Sequence, residues 1–260
     1  MSLPAASRHP IPRPLRALVT PAGLTALAAL AVRVGAQPPG QLVTGRVTIA
    51  ERAGVRTADL ADAVVWLEPA GDGGGARGPV AGGPGASTGG EAPAQIAMRG
   101  RSYVPRVRVV RAGSTVEFPN HDPFRHNVFS KTGPMEFDLG LYERGASRAA
   151  RLTRAGVYPV FCDIHARMSA FVVAVASPWV AQPAADGRFA LAAVPPGRYL
   201  LRVWHERGGE HARPVVVGDA TPAPADTAEL AVQLDARAYR HRPHLNKFGQ
   251  PYARTSGERY

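Results

Sequence analysis

The sequence predicts an all-β protein made of two small sandwiches, and three observations lead there. There are 28 Gly and 25 Pro among the 260 residues, a density that breaks helices and punctuates strands. Apolar and polar residues alternate with period two in short runs bounded by turn residues. No helical period competes over any length.

Residues 1–36 carry Arg8, Arg13 and Arg16, an apolar run from Ala22 to Val32, then Arg33 and the small-residue stretch Val34-Gly35-Ala36. This pattern predicts a cleaved export leader, and hence a periplasmic or secreted protein. A membrane span needs about 20 apolar residues, more than this run offers, so no stable span is expected after cleavage. Strands are predicted over Leu42–Ile49 and Ala63–Glu68, and residues 71–94 read as a Gly-rich linker with little to pack. Between residues 95 and 176 the alternation resumes over Val104–Val110, Thr115–Phe118, Asn127–Phe129, Val157–Phe161 and Phe171–Val175. A last group follows in Gly187–Ala192, Arg198–His205 and Arg213–Val217, with turns at Asp186-Gly187 and Pro195-Pro196-Gly197. Residues 236–260 read as a polar, basic, poorly ordered tail. About 30 residues before the linker bury too little to fold alone. The expectation is therefore that 41–70 and 177–235 form one discontinuous domain around 95–176.

The formal charge is +11, but the leader holds four Arg and no acid, which leaves +7. The tail, with five Arg, one Lys and one Glu, supplies +5 of that. The body is nearly neutral, which argues against a phosphate-tracking groove and against nucleic acid as a partner. One cysteine, Cys162, excludes an internal disulfide, Cys-rich zinc sites and iron–sulfur clusters.

The chemistry concentrates in two segments. Cys162, His165 and Met168 follow one another at C-x2-H-x2-M spacing at a strand end, and His126 opens an earlier strand. Two imidazoles, one thiolate and a weak thioether form the ligand set of a mononuclear blue copper site. Soft sulfur favours Cu(I), and imidazole serves both oxidation states. A structural zinc site would have no need of the thioether.

On these residues, 95–176 resembles the cupredoxins, and more closely the plastocyanin and amicyanin-like branch. The resemblance implies a Greek-key β-sandwich, with His126, Cys162, His165 and Met168 as metal ligands and copper as cofactor. It also implies that Asn127, directly after the first ligand, tethers the cysteine loop. Ala170 stands where members of the family often have Gly. Residues 41–70 and 177–235 resemble the prealbumin-like sandwich of carboxypeptidase regulatory domains, through Val43-Thr44-Gly45-Arg46-Val47, Ala63-Val64-Val65-Trp66-Leu67, Asp186-Gly187-Arg188-Phe189 and Pro195-Pro196-Gly197-Arg198-Tyr199-Leu200. That module implies scaffold and no chemistry.

The expected function is single-electron transfer between redox partner proteins, with no catalysis. The alternative is a module that stores, senses or delivers copper without electron turnover. A multicopper enzyme is disfavoured because Cys162 is flanked by Phe161 and Asp163, not by histidines. A Cys–His hydrolase would need an exposed sulfur paired with a base. Of the other histidines, His121 reads as a solvated loop residue and His205 as a strand position facing water. His241 and His244 read as part of a solvated tail whose Arg residues could steer an acidic partner.

Overall fold

The computed structural model describes residues 40–70, 93–218 and 230–252. The expected leader and almost all of the linker lie outside these residues. Apart from one 3-10 turn at Leu60–Asp62, every regular element described is a strand, so the protein is all-β. None of the described helices is long and apolar enough to cross a membrane.

Two strands, β1 (Gln41–Ala50) and β2 (Val64–Pro69), precede the linker. Ten follow it: β3 (Ala94–Gln95), β4 (Ala97–Arg99), β5 (Ser102–Val104), β6 (Val107–Arg111), β7 (Thr115–Pro119), β8 (His126–Ser130), β9 (Phe137–Tyr142), β10 (Ser147–Arg151), β11 (Gly156–Cys162) and β12 (His165–Val175). The chain ends with β13 (Val180–Ala181), β14 (Arg188–Val194), β15 (Gly197–His205), β16 (Gly209–Val217) and β17 (Leu230–Asp235). The expected run Val104–Val110 is broken at Pro105 into β5 and β6, because proline cannot donate to a ladder. Strands β3, β4, β9, β10, β13 and β17 were not expected.

Strands β10, β7 and β3 form one sheet, and β6, β12, β11, β8 and β9 a second. Their inner faces enclose a core that includes Ile96, Met98, Val116, Phe118, Tyr158, Val160 and Val172. The other pair of sheets is β14-β1-β17 and β13-β2-β15-β16, around Val47, Leu67, Phe189, Leu201, Val203 and Leu234. Most pairings are antiparallel, as the alternation implies, but β1–β17, β3–β7 and β6–β12 are parallel. At the Asp186-Gly187 turn the backbone of Gly187 has φ +85 and a Cβ there would lie 2.1 Å from the Val47 carbonyl oxygen. Only glycine fits that turn.

The period of two explains how the sandwiches meet. On β2, Val65 and Leu67 face their own core while Val64 and Trp66 face the other way. On β12, Val172 and Ala174 enter one core and Val173 and Val175 the opposite face. Val64, Trp66, Trp204, Val107, Val173 and Val175 thus form a third cluster between the sandwiches, with Phe171 and Trp204 ring centroids 5.1 Å apart. Arg106 donates to Glu206 across the same seam, 3.1 Å from Nε.

Candidate metal centre

Strand β11 ends at Cys162 and β12 begins at His165, its pairing partner across a two-residue turn of Asp163 and Ile164. Because β8 lies beside β11, with Phe129 opposite Phe161, His126 at the start of β8 reaches the same end of the sheet. The result is a buried group of three donors. Cys162 Sγ lies 3.7 Å from His126 Nδ1 and 3.5 Å from His165 Nδ1, and all three donor atoms are within 4.8 Å of one another. Bonds of about 2.0 Å to nitrogen and about 2.3 Å to sulfur, opened by about 110–120°, separate the donors by roughly 3.5–3.7 Å. The two separations from Cys162 Sγ are therefore those of donors that could share a metal ion.

The protonation pattern also suits a metal. Asp122 Oδ2 accepts from His126 Nε2 at 2.8 Å, which leaves the Nδ1 lone pair facing the sulfur. Burial alone would raise the Asp122 carboxyl. The main-chain N–H of Arg101, the His126 ring and the N–H of Gly100 outweigh it and hold the group below its ordinary value. Burial pushes the Cys162 thiol up, although the main-chain N–H groups of Ile164, Asn127 and His165 pull the other way. A cation is what would make this sulfur a thiolate. His126 is 0% exposed and His165 7%. Phe124, 36% exposed, places its ring 5.1 Å from that of His126 and 5.8 Å from that of His165.

Met168 is buried, 2% exposed, in the same core cluster as Cys162. Asn127 is placed beside the sulfur, but its side-chain amide donates to Asp138 Oδ1 at 2.8 Å, and the contact to Cys162 comes from its main chain. The Tyr103 hydroxyl lies 3.1 Å from the carbonyl oxygens of both Asn127 and Phe161, joining β8 to β11 just behind the site. Burial holds that phenol well above its usual range, so it remains a donor.

Asp122 and Tyr103 were not singled out from the sequence. The signal for Asp122 was its position four residues before His126. Nothing local marks Tyr103, whose partners are 24 and 58 residues away.

Three expectations are corrected. His205 does not face water: it is 1% exposed, with Nε2 3.1 Å from the Asp59 carbonyl oxygen, because the loop before β2 folds over the end of β15. The tail is largely exposed, but it is not structureless up to Tyr252, and His244 is half-buried in it. His244 stacks on Phe161, with centroids 4.3 Å apart and an interplanar angle of 19°, and burial pushes its imidazole below the usual range. His241 is exposed, as is His121.

No family model matches the sequence, and no curated protein does. Among solved structures, the Cu-containing nitrite reductase from Thermus scotoductus SA-01 is 28% identical, over 34% of this chain and 24% of its own, with TM-score 0.31. The chain thus spans about a quarter of that reductase. A point mutant of amicyanin in its reduced Cu(I) form at pH 4 is 22% identical, over 33% of this chain and 84% of its own, with TM-score 0.31. Amicyanin from Paracoccus versutus is 24% identical, over 32% and 81%, with TM-score 0.30.

Proposed function

We propose that the protein is an exported, mononuclear copper protein of the cupredoxin type that passes single electrons between redox partners. The observation that supports this best is the convergence of His126 Nδ1 and His165 Nδ1 on Cys162 Sγ at 3.7 and 3.5 Å. Copper bound there would supply a one-electron Cu(I)/Cu(II) couple. His126, Cys162 and His165 would hold it, with Met168 as a weaker thioether donor.

The chain's own part is to fix those donors and keep water away. Asp122 sets the tautomer of His126, Tyr103 ties the strands that carry His126 and Cys162, and Phe124 shields both imidazoles. A site held this firmly changes shape little as its charge changes, which suits rapid electron exchange. The same burial speaks against the alternative of a delivery module, which must give its ion up.

An optical and EPR spectrum of the copper-loaded full chain tests the reading. The expected result is one copper per chain, an intense visible sulfur-to-copper band and a reversible voltammetric couple. A colourless protein, or one that yields its copper to a mild chelator and shows no couple, sinks the carrier. The export part rests on the Arg-flanked apolar run before residue 36, and N-terminal sequencing of protein from the periplasm checks it. An intact Met1 there would overturn cleavage.

A further inference from the structure

The segment after β17 crosses from one sandwich to the other and ends on the metal turn. Tyr239 first anchors on the scaffold, its hydroxyl donating to Glu206 Oε1 at 3.1 Å. His244 then lies flat on Phe161, and the His165 carbonyl accepts from its Nε2 at 3.2 Å. The Lys247 main-chain N–H donates to Asp163 Oδ1 at 2.9 Å, and its ammonium donates to Asp138 Oδ2 at 2.9 Å. Asp138 is also the carboxylate that holds Asn127. Finally the Tyr252 hydroxyl donates to the Cys162 carbonyl at 2.7 Å, with its ring edge-on to His244 at 5.3 Å.

These contacts share one target. The turn from Cys162 to His165 has two residues between its candidate ligands, and the segment bonds the carbonyl of each ligand and the side chain of Asp163. A short turn at the rim of a sheet is among the parts of a fold that open most readily. The segment itself is not a strand. It is shaped by an Asn246 turn, where the Asn246 side chain accepts from the N–H groups of Phe248 and Gln250 at 3.0 and 2.9 Å, and Gly249 supplies the left-handed residue, with φ 77.

We propose that residues 239–252 act as a strap that fixes the Cys162–His165 turn in its ligating shape, with His244 and Tyr252 as positioning residues. The purpose rests on the copper reading above, but the device does not. A preformed turn leaves less ordering to be done when an ion arrives and holds the donors at fixed spacing afterwards. The strap also couples the two sandwiches to the site, because it leaves the scaffold at Tyr239 and lands on the metal turn.

The test is amide hydrogen exchange on the metal-free full chain, comparing wild type with Tyr252→Phe, His244→Ala and His244→Phe. Each lost hydrogen bond should speed exchange at residues 163–166 about five- to tenfold while the core of β12 keeps its protection. His244→Phe retains the stacking surface and should fall between wild type and His244→Ala. Once loaded with copper, the two His244 variants and Tyr252→Phe should lose the ion faster to a chelator and show a shifted reduction potential. Unchanged exchange at 163–166 in both Tyr252→Phe and His244→Ala overturns the strap, as does faster exchange spread evenly over β11 and β12. A wild type that takes no copper but loses turn protection on these substitutions would sink the copper reading and leave the strap standing.

Discussion

Asp122 and Tyr103 work on the candidate ligands from opposite sides, one through the far nitrogen of His126 and the other through the carbonyls beside Cys162. Replacing a carboxylate that orients a ligating histidine typically weakens metal binding about 10- to 100-fold. Asp122→Asn keeps the shape but not the charge, so copper affinity measured against a chelator should fall toward the lower end of that range. Cys162→Ser should abolish the visible band outright, because no other sulfur anion exists in the chain, and a variant that stays intensely coloured would refute the assignment. Met168→Leu should retain copper and raise the potential in voltammetry, since removing a weak additional donor disfavours Cu(II). Loss of the ion would mean that Met168 is more than a weak ligand. The cluster of His126, Cys162 and His165 was legible because Cys162 and His165 are close in sequence and each residue type is chemically distinctive. Asp122 and Tyr103 were not, since a carboxylate and a phenol are common and their partners here are set by the packing of strands.

Among the elements, the expected strands were those with several buried apolar positions, such as β11 and β15. Strand β10, Ser147–Arg151, buries only Ala150, so its alternation is too faint to read, and it forms by pairing with β7 at an edge. The segment after Asp235 misled for the opposite reason. Its Pro, Arg and His content matches a disordered tail, yet its contacts are hydrogen bonds and one stacked ring, which leave no hydrophobic period. A polar element also governs the loop before β2. Arg207, at the turn between β15 and β16, donates to Asp59 Oδ2 at 2.7 Å and to Glu51 Oε2 at 2.8 Å. Burial alone would raise both carboxyls, but the Arg207 guanidinium outweighs it and holds each below its ordinary value. Groups lowered on folding stabilise the protein above their unfolded values, about 3.9 and 4.3, and that contribution fades as pH falls through the lower folded values. Arg207→Gln should therefore cost about 2 kcal/mol near neutrality, between the limits for surface and buried pairs. The gap in melting temperature should close as the pH drops below about 4. A gap that is constant with pH would show that packing, not charge, makes the difference.

At the scale of the whole molecule, we propose that the strands on either side of 71–176 are one domain interrupted by another. Strand β1 pairs with β14 and β17, and β2 pairs with β13 and β15, so neither flank has a complete sheet without the other. The junction geometry makes the proposal testable. Val180 lies opposite Trp66 and Ala181 opposite Val65 in an antiparallel register, and continuing that register sets residue 177 opposite residue 69. The chain therefore leaves β2 and returns to β13 within the reach of a hairpin turn. Replacing residues 71–176 by a short Gly/Ser turn should close β2 onto β13 and yield a folded, copper-free β protein, seen as dispersed amide resonances and a cooperative melt. Removal strips the partners from Val64, Trp66 and Trp204, so this protein should be less stable and more prone to associate than its size suggests. The excised piece, 94–176, should still bind copper, because His126, Cys162, His165 and Met168 all lie within it. It would lack the segment from Tyr239 to Tyr252 and expose Val107, Val173 and Val175, so it should release the ion faster than the full chain. A cooperative melt from residues 177–260 in isolation would refute the interrupted domain, because those residues lack β1, which stands between β14 and β17, and β2, which stands between β13 and β15.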